Sequence, residues 1–118
     1  MQENIGWDSL RERLRAFAVA RDWEQFHSPK NLAMALAGEA GELVACMQWS
    51  SETESANLRP EKLAEVELEM ADVLIYLVRL ADRLDVNLLD AVDRKIAINE
   101  RRYPVERVRG KSKKYNEY

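Results

Sequence analysis

Residues 73–78 read VLIYLV, a run with no charged side chain on any side. No strand-like alternation surrounds it; the periodicity on either side is helical. A helix that is apolar all round has no face to give to water, so other helices must enclose it. Pro60-Glu61 opens this helix, and its pattern reaches about Leu84. This segment dictates a central, most buried helix with partners around it.

The rest of the chain supplies the partners. Asp8 or Ser9 can cap a first helix to about Arg21, and Ser9 with Glu12 fits a capping box. Ser28-Pro29 is a capping hydroxyl followed by proline at the first helical position, starting a second helix that runs to about Trp49. The stretch SSETESANLR reads as a loop, and Asn87 caps a further helix that ends before Pro104. Four helices with short connections and no internal repeat predict an all-α antiparallel four-helix bundle. The predicted domain covers residues 1–104, followed by a basic tail over 105–118. At 118 residues the core is modest, so association into dimers or tetramers would help it. No run approaches a membrane span and no basic-then-apolar leader opens the sequence, which predicts a cytoplasmic protein without a membrane partner. One cysteine and one histidine argue against a disulfide framework or a Cys/His zinc site, and Cys46 reads as core.

The second helix contains ALAGEAGEL, residues 35–43, where Gly38 and Gly41 each cost about 1 kcal/mol relative to alanine. At 100° per residue, Leu32, Leu36, Ala40, Leu43 and Met47 form one apolar stripe, with Glu39 and Glu42 along its flank. The glycines lie roughly opposite, a thin surface on which another helix can press closely. The third helix repeats the device: Glu69, Asp72 and Tyr76 share a face beside Val66, Val73, Leu77 and Leu80. Antiparallel packing would bring E-x-x-E and E-x-x-D together. Most helical acids are simply solvated, but this helix has little other polar surface between Leu32 and Met47. Two carboxylates about 4 Å apart repel by roughly 4 kcal/mol at an effective dielectric of 20. Four converging carboxylates with no nearby lysine or arginine call for a hard divalent cation: magnesium, manganese or calcium. A di-iron bundle would need Glu-x-x-His motifs, and His27 belongs to none.

Charge is unevenly distributed. Residues 37–72 carry nine acids and two bases, whereas residues 101–114 carry seven bases and one acid. Mutual attraction of the two regions is one account; a cation site and an anion grip is the other. Lys95, Asn99 and Arg102 align at i, i+4 and i+7, a solvated face or a phosphate clamp. Trp23, Phe26 and His27, with Trp49 and Tyr76, either plug a helix junction or wall a flat pocket for a base.

Taken in order, RDWEQFHSPKNL, ALAGEAGEL, QW, ELEMADVLIYLVRLA, KIAINERRYP and KSKKY resemble the MazG-like all-α nucleotide pyrophosphohydrolases, specifically the dCTP pyrophosphatase branch. The resemblance covers residues 10 to 115, with a loop before Pro60 that is short compared with some relatives. It implies hydrolysis between the α- and β-phosphates of a nucleoside triphosphate, giving the monophosphate and pyrophosphate, in dimers or pairs of dimers. It implies magnesium, with manganese as the alternative, on Glu39, Glu42, Glu69 and Asp72. It places Trp23, Glu24, Gln25, Phe26, His27, Trp49 and Tyr76 at the nucleobase, and Lys95, Asn99 and Arg102 on the phosphates. A non-catalytic helical protein that binds nucleotide or a partner is the alternative of a different class. A nucleic-acid partner is disfavoured, because the acidic central half repels a phosphate backbone.

Overall fold

Ser28 and Pro29 set the sharpest boundary in the chain. The Ser28 hydroxyl accepts from the Asn31 N–H at 3.1 Å, and proline fills the first helical position. In the computed structural model, which describes residues 5–117, six α-helices follow one another. They are α1 (Trp7–Ala20), α2 (Pro29–Met47), α3 (Glu52–Ser55), α4 (Pro60–Arg83), α5 (Leu88–Arg102) and α6 (Val105–Val108). Among the described residues there is no strand, and no helix is long and apolar enough to cross a membrane. The chain is all-α.

Three boundaries differ from the sequence reading. Helix α1 begins at Trp7 with Gly6 as an uncapped N-cap, in place of a start at Asp8 or Ser9. The earlier start puts Trp7, Leu10, Leu14 and Ala18 on one inward face, so burial decides the boundary over capping chemistry. The stretch read as a loop holds α3, whose Ser51–Glu54 capping box satisfies two backbone donors in a single turn. The basic tail contains α6 and a 3-10 turn at Tyr115–Glu117.

Two compact units divide the chain, the first reaching Asp85 and the second beginning at Val86. In the first, α4 is the central element: α2 packs along it and α1 packs against it. The buried apolar side chains are Ala18, Leu32, Val66, Val78 and Ala81, three of them from α4. Pairings of His27 with Arg79 and of Glu39 with Glu69 and Asp72 show that α2 and α4 run in opposite directions. On α2 the packed face runs through Leu32, Leu36, Glu39, Leu43 and Met47, while Ala40 is exposed. Glu39 therefore occupies the position that the helical wheel gives to Ala40. Gly38 and Gly41 are exposed, and a Cβ on either would meet nothing within 4 Å among the described residues. In the second unit, Asn87 caps α5 by accepting from the Asp90 N–H at 3.0 Å.

Arg15 of α1 donates through Nε and Nη2 to both carboxylate oxygens of Asp82 on α4, whose side chain is only 7% exposed. Arg79 Nη1 donates to the same carboxylate at 2.9 Å. The Arg15 hydrogen bond, reinforced by the charges of Arg15 and Arg79 against the cost of burial, lowers the Asp82 pKa. A lowered folded-state pKa means that the stabilisation is present above the ordinary aspartate value of about 3.9 and is lost as pH falls through the lowered value. In urea titrations, Asp82→Asn should be less stable than wild type by about 2 kcal/mol at pH 7. The difference should shrink below pH 4.

Candidate active site

Three residues between Glu69 and Asp72 place both carboxylates on neighbouring turns of one face of α4. The antiparallel course of α2 brings Glu39 to meet them. One oxygen from each of these half-buried residues lies within 4.8 Å of the others. Burial raises the Glu69 pKa, with further contributions from the charges of Asp72, Glu39 and Glu42 and from a hydrogen bond with Glu39. Glu69 Oε2 is buried and has no hydrogen-bond partner among the described residues. Three convergent hard oxygens, on residues that include one carboxylate with an unpartnered oxygen, suit magnesium, manganese or calcium.

The structure brings together three of the four carboxylates singled out in the sequence. Glu42 is exposed and stands outside the set, although its charge still acts on Glu69. It lines an open groove of about 390 Å³ with Cys46, Lys62 and Glu69. Lys62 is a cation that sequence proximity does not reveal. It reaches the groove from the first turn of α4 and also pairs with Glu65 at 3.1 Å.

Beside the carboxylates lies a cavity of about 220 Å³ bounded by Leu14, Phe17, Ala18, Trp23, His27, Asp72, Ile75, Tyr76 and Arg79. Its aromatic wall depends on how α1 ends. Asp22 adopts a left-handed φ of 56°, the Asp22 N–H donates to the Val19 carbonyl, and the Trp23 N–H donates to the Ala18 carbonyl at 2.9 Å. This Schellman-type reversal turns the chain back on itself with aspartate where glycine is usual. Gln25 Nε2 braces the turn by donating to the carbonyl and the carboxylate of Asp22. Trp23 then meets Phe17 and His27 edge-on, at centroid distances of 5.7 and 6.4 Å. Residues Glu24–Phe26 form a 3-10 turn, and Asn31 Nδ2 ties it to α2 by donating to the Phe26 carbonyl at 3.1 Å.

Of the proposed base-binding residues, the cavity gathers Trp23, His27 and Tyr76. Glu24 approaches Arg79 and Arg83 at 3.7 and 3.8 Å. Phe26 and Trp49 are 60% and 89% exposed and line no part of the cavity. Lys95, Asn99 and Arg102 are exposed on α5 in the second unit. Sequence reasoning missed Leu14, Phe17, Ile75 and Arg79 as wall residues. Arg79 had a visible signal, a charge placed directly after the most apolar run of the chain.

Asp72 belongs both to the carboxylate cluster and to the cavity wall. A cation and a flat ring would thus be neighbours. Comparisons with known proteins bear on the family of the chain. The model of the MazG-like family matches residues 34–118. The chain is 46% identical over 112 residues to dCTP pyrophosphatase 1 of Mus musculus and of Homo sapiens, covering 93% of this chain and 66% of each relative. It therefore spans just under two thirds of the length of these relatives. A crystal structure of a pyrophosphatase from Archaeoglobus fulgidus superposes with a TM-score of 0.80 at 40% identity, covering 88% of this chain and 97% of that one. By its helix order, its paired acidic motifs and these likenesses, the chain belongs to the MazG-like family.

Proposed function

We propose that the chain is a nucleoside triphosphate pyrophosphohydrolase that cleaves between the α- and β-phosphates of dCTP or a modified dCTP in the cytoplasmic nucleotide pool. The observation that carries the reading is the Glu39–Glu69–Asp72 cluster sharing Asp72 with an aromatic cavity. The names of the relatives, dCTP pyrophosphatase 1 and pyrophosphatase, support the choice of substrate and reaction.

Glu39, Glu69 and Asp72 would hold magnesium or manganese, and Glu69 Oε2 is the atom most in need of it. When bound, the cation supplies positive charge for the triphosphate and makes water more acidic. Glu42, exposed beside the cluster, accepts the proton of the attacking water on its carboxylate. Trp23, His27 and Tyr76 hold the base, while Glu24 and Gln25 brace the turn that presents Trp23 and His27. Lys95, Asn99 and Arg102 bind the phosphates and orient them for cleavage. No covalent nucleophile is required.

Assembly is part of the proposal. Among the described residues, five buried apolar side chains make a small core, whereas Trp49, Leu68, Met34 and Val44 are 89%, 69%, 63% and 61% exposed. Apolar surface on this scale is normally covered, and the open glycine face of α2 suits close approach by a second copy. We assign the chain to a homodimer or homotetramer in which Trp49 and Phe26 form part of the covered surface.

Three experiments test these claims. Pyrophosphate release from dCTP should require magnesium, stop with EDTA, and fall roughly 100-fold or more in Glu42→Gln. A nucleotide-dependent thermal shift without turnover would instead assign the non-catalytic alternative. For Glu69 the raised pKa means that charge on this group opposes folding as pH rises through its titration. In EDTA at pH 7.5, Glu69→Gln should melt above wild type, and magnesium should raise the Tm of wild type far more than that of the variant. Sedimentation velocity should show dimers or tetramers; a single 13.7 kDa species would overturn the assembly.

A further inference from the structure

Arg79 is the buried charged residue of the described chain, 2% exposed and on the cavity wall. Its guanidinium faces three groups. Nη1 donates to Asp82 at 2.9 Å, while Nη2 lies 3.7 Å from Glu24 and 3.4 Å from Nδ1 of His27. A guanidinium has donors and no acceptor, so the contact with His27 has one polarity: the arginine N–H donates and Nδ1 accepts. A neutral imidazole that accepts on Nδ1 carries its proton on Nε2. The neutral form is favoured by burial and by the charges of Arg79 and Arg83, with only Glu24 acting the other way. Arg83 Nε donates to the His27 carbonyl at 3.1 Å, which fixes the backbone of the same residue.

We infer that Arg79 is a positioning residue that determines specificity: it holds His27 as the Nε2–H tautomer, so that the aromatic cavity offers a hydrogen-bond donor and selects flat heterocycles bearing a carbonyl or ring-nitrogen acceptor. The assignment of the tautomer stands on the contact itself; the assignment of the ligand rests on the proposed function. Stacking on Trp23 and Tyr76 accepts any flat ring, so discrimination needs a polar group of defined sense. Lysine cannot substitute here. It keeps a cation for Asp82 but lacks the planar fork that reaches Asp82 and His27 together.

His27 is the only histidine of the chain, so protein labelled with 15N-histidine and made without a histidine tag gives one imidazole. The long-range 1H–15N spectrum at pH 7.5 should show Nδ1 unprotonated and Nε2 protonated. A proton on Nδ1, or an even mixture of tautomers, would overturn the inference, and this measurement needs no variant and no turnover. In Arg79→Lys the tautomers should mix while the circular dichroism stays that of wild type; an unchanged imidazole spectrum in the folded variant would overturn it. With magnesium and dCTP, Arg79→Lys should raise KM about tenfold and leave kcat within about twofold. The triphosphate of a difluorotolyl deoxyriboside, shaped like a pyrimidine but lacking ring acceptors, should be discriminated against by wild type and less so by the variant. Equal discrimination by both would count against Arg79. If wild type releases pyrophosphate from no nucleotide, the proposed function fails while the spectra still decide the tautomer.

Discussion

Like charges held close together set the terms for the rest of this structure. Two carboxylates at about 4 Å repel by roughly 4 kcal/mol even where the effective dielectric is 20, and α2 and α4 hold three within 4.8 Å. The opposing force is apolar contact along the same helix pair, where burial of a side chain such as Leu32 or Val78 is worth about 1.5–3 kcal/mol. Burial first, and then the charges of the neighbouring carboxylates, raise the pKa of Glu69. A divalent cation held by Glu39, Glu69 and Asp72 would convert the repulsion into attraction and so couple the acidic cluster to the packing around it.

Much of this was legible in the sequence, for identifiable reasons. Ser28-Pro29, Pro60 and Asn87 fix helix starts because each satisfies or removes a backbone donor locally, without help from distant residues. The E-x-x-E and E-x-x-D spacings place carboxylates on faces because helical geometry is fixed at 100° per residue. A wheel gives direction and not depth, however. The wheel sets Ala40 in the stripe and Glu39 on its flank, and the partner helix decides that Glu39 packs inward while Ala40 faces out. For the same reason Glu42 separates from the other three acids, and Trp49, apolar in composition, lies on the surface of the single chain. The cavity wall was the least legible part. Phe17, Ile75 and Arg79 come from two helices that meet only in the folded chain.

The ionic cluster around Asp82 complements the acidic one. Arg15, Arg79 and Asp82 tie α1 to α4, and Arg79 with Arg83 extends the tie to Glu24 and His27 in the turn before α2. A buried ion pair contributes little net stability against a well-packed apolar alternative. Its geometry is directional, and the stretch it anchors is the one that must present Trp23 and His27 in register with Tyr76. The left-handed Asp22 serves the same end from the other side, ending α1 so that Trp23 enters the cavity.

Asp72, Tyr76 and Arg79 stand on a single uninterrupted helix, about 1.5 Å of rise per residue. From the backbone of Asp72 to that of Arg79, two residues that both line the cavity, is therefore a fixed axial rise of about 10 Å. A helix packed on two sides does not stretch, so α4 works as a gauge. On the proposed function, a substrate spanning it would place its charged group at one mark and its ring at the other, and a molecule too short or too long could satisfy one end only. On the proposed function, selection by length would be built into the backbone, ahead of any choice among rings.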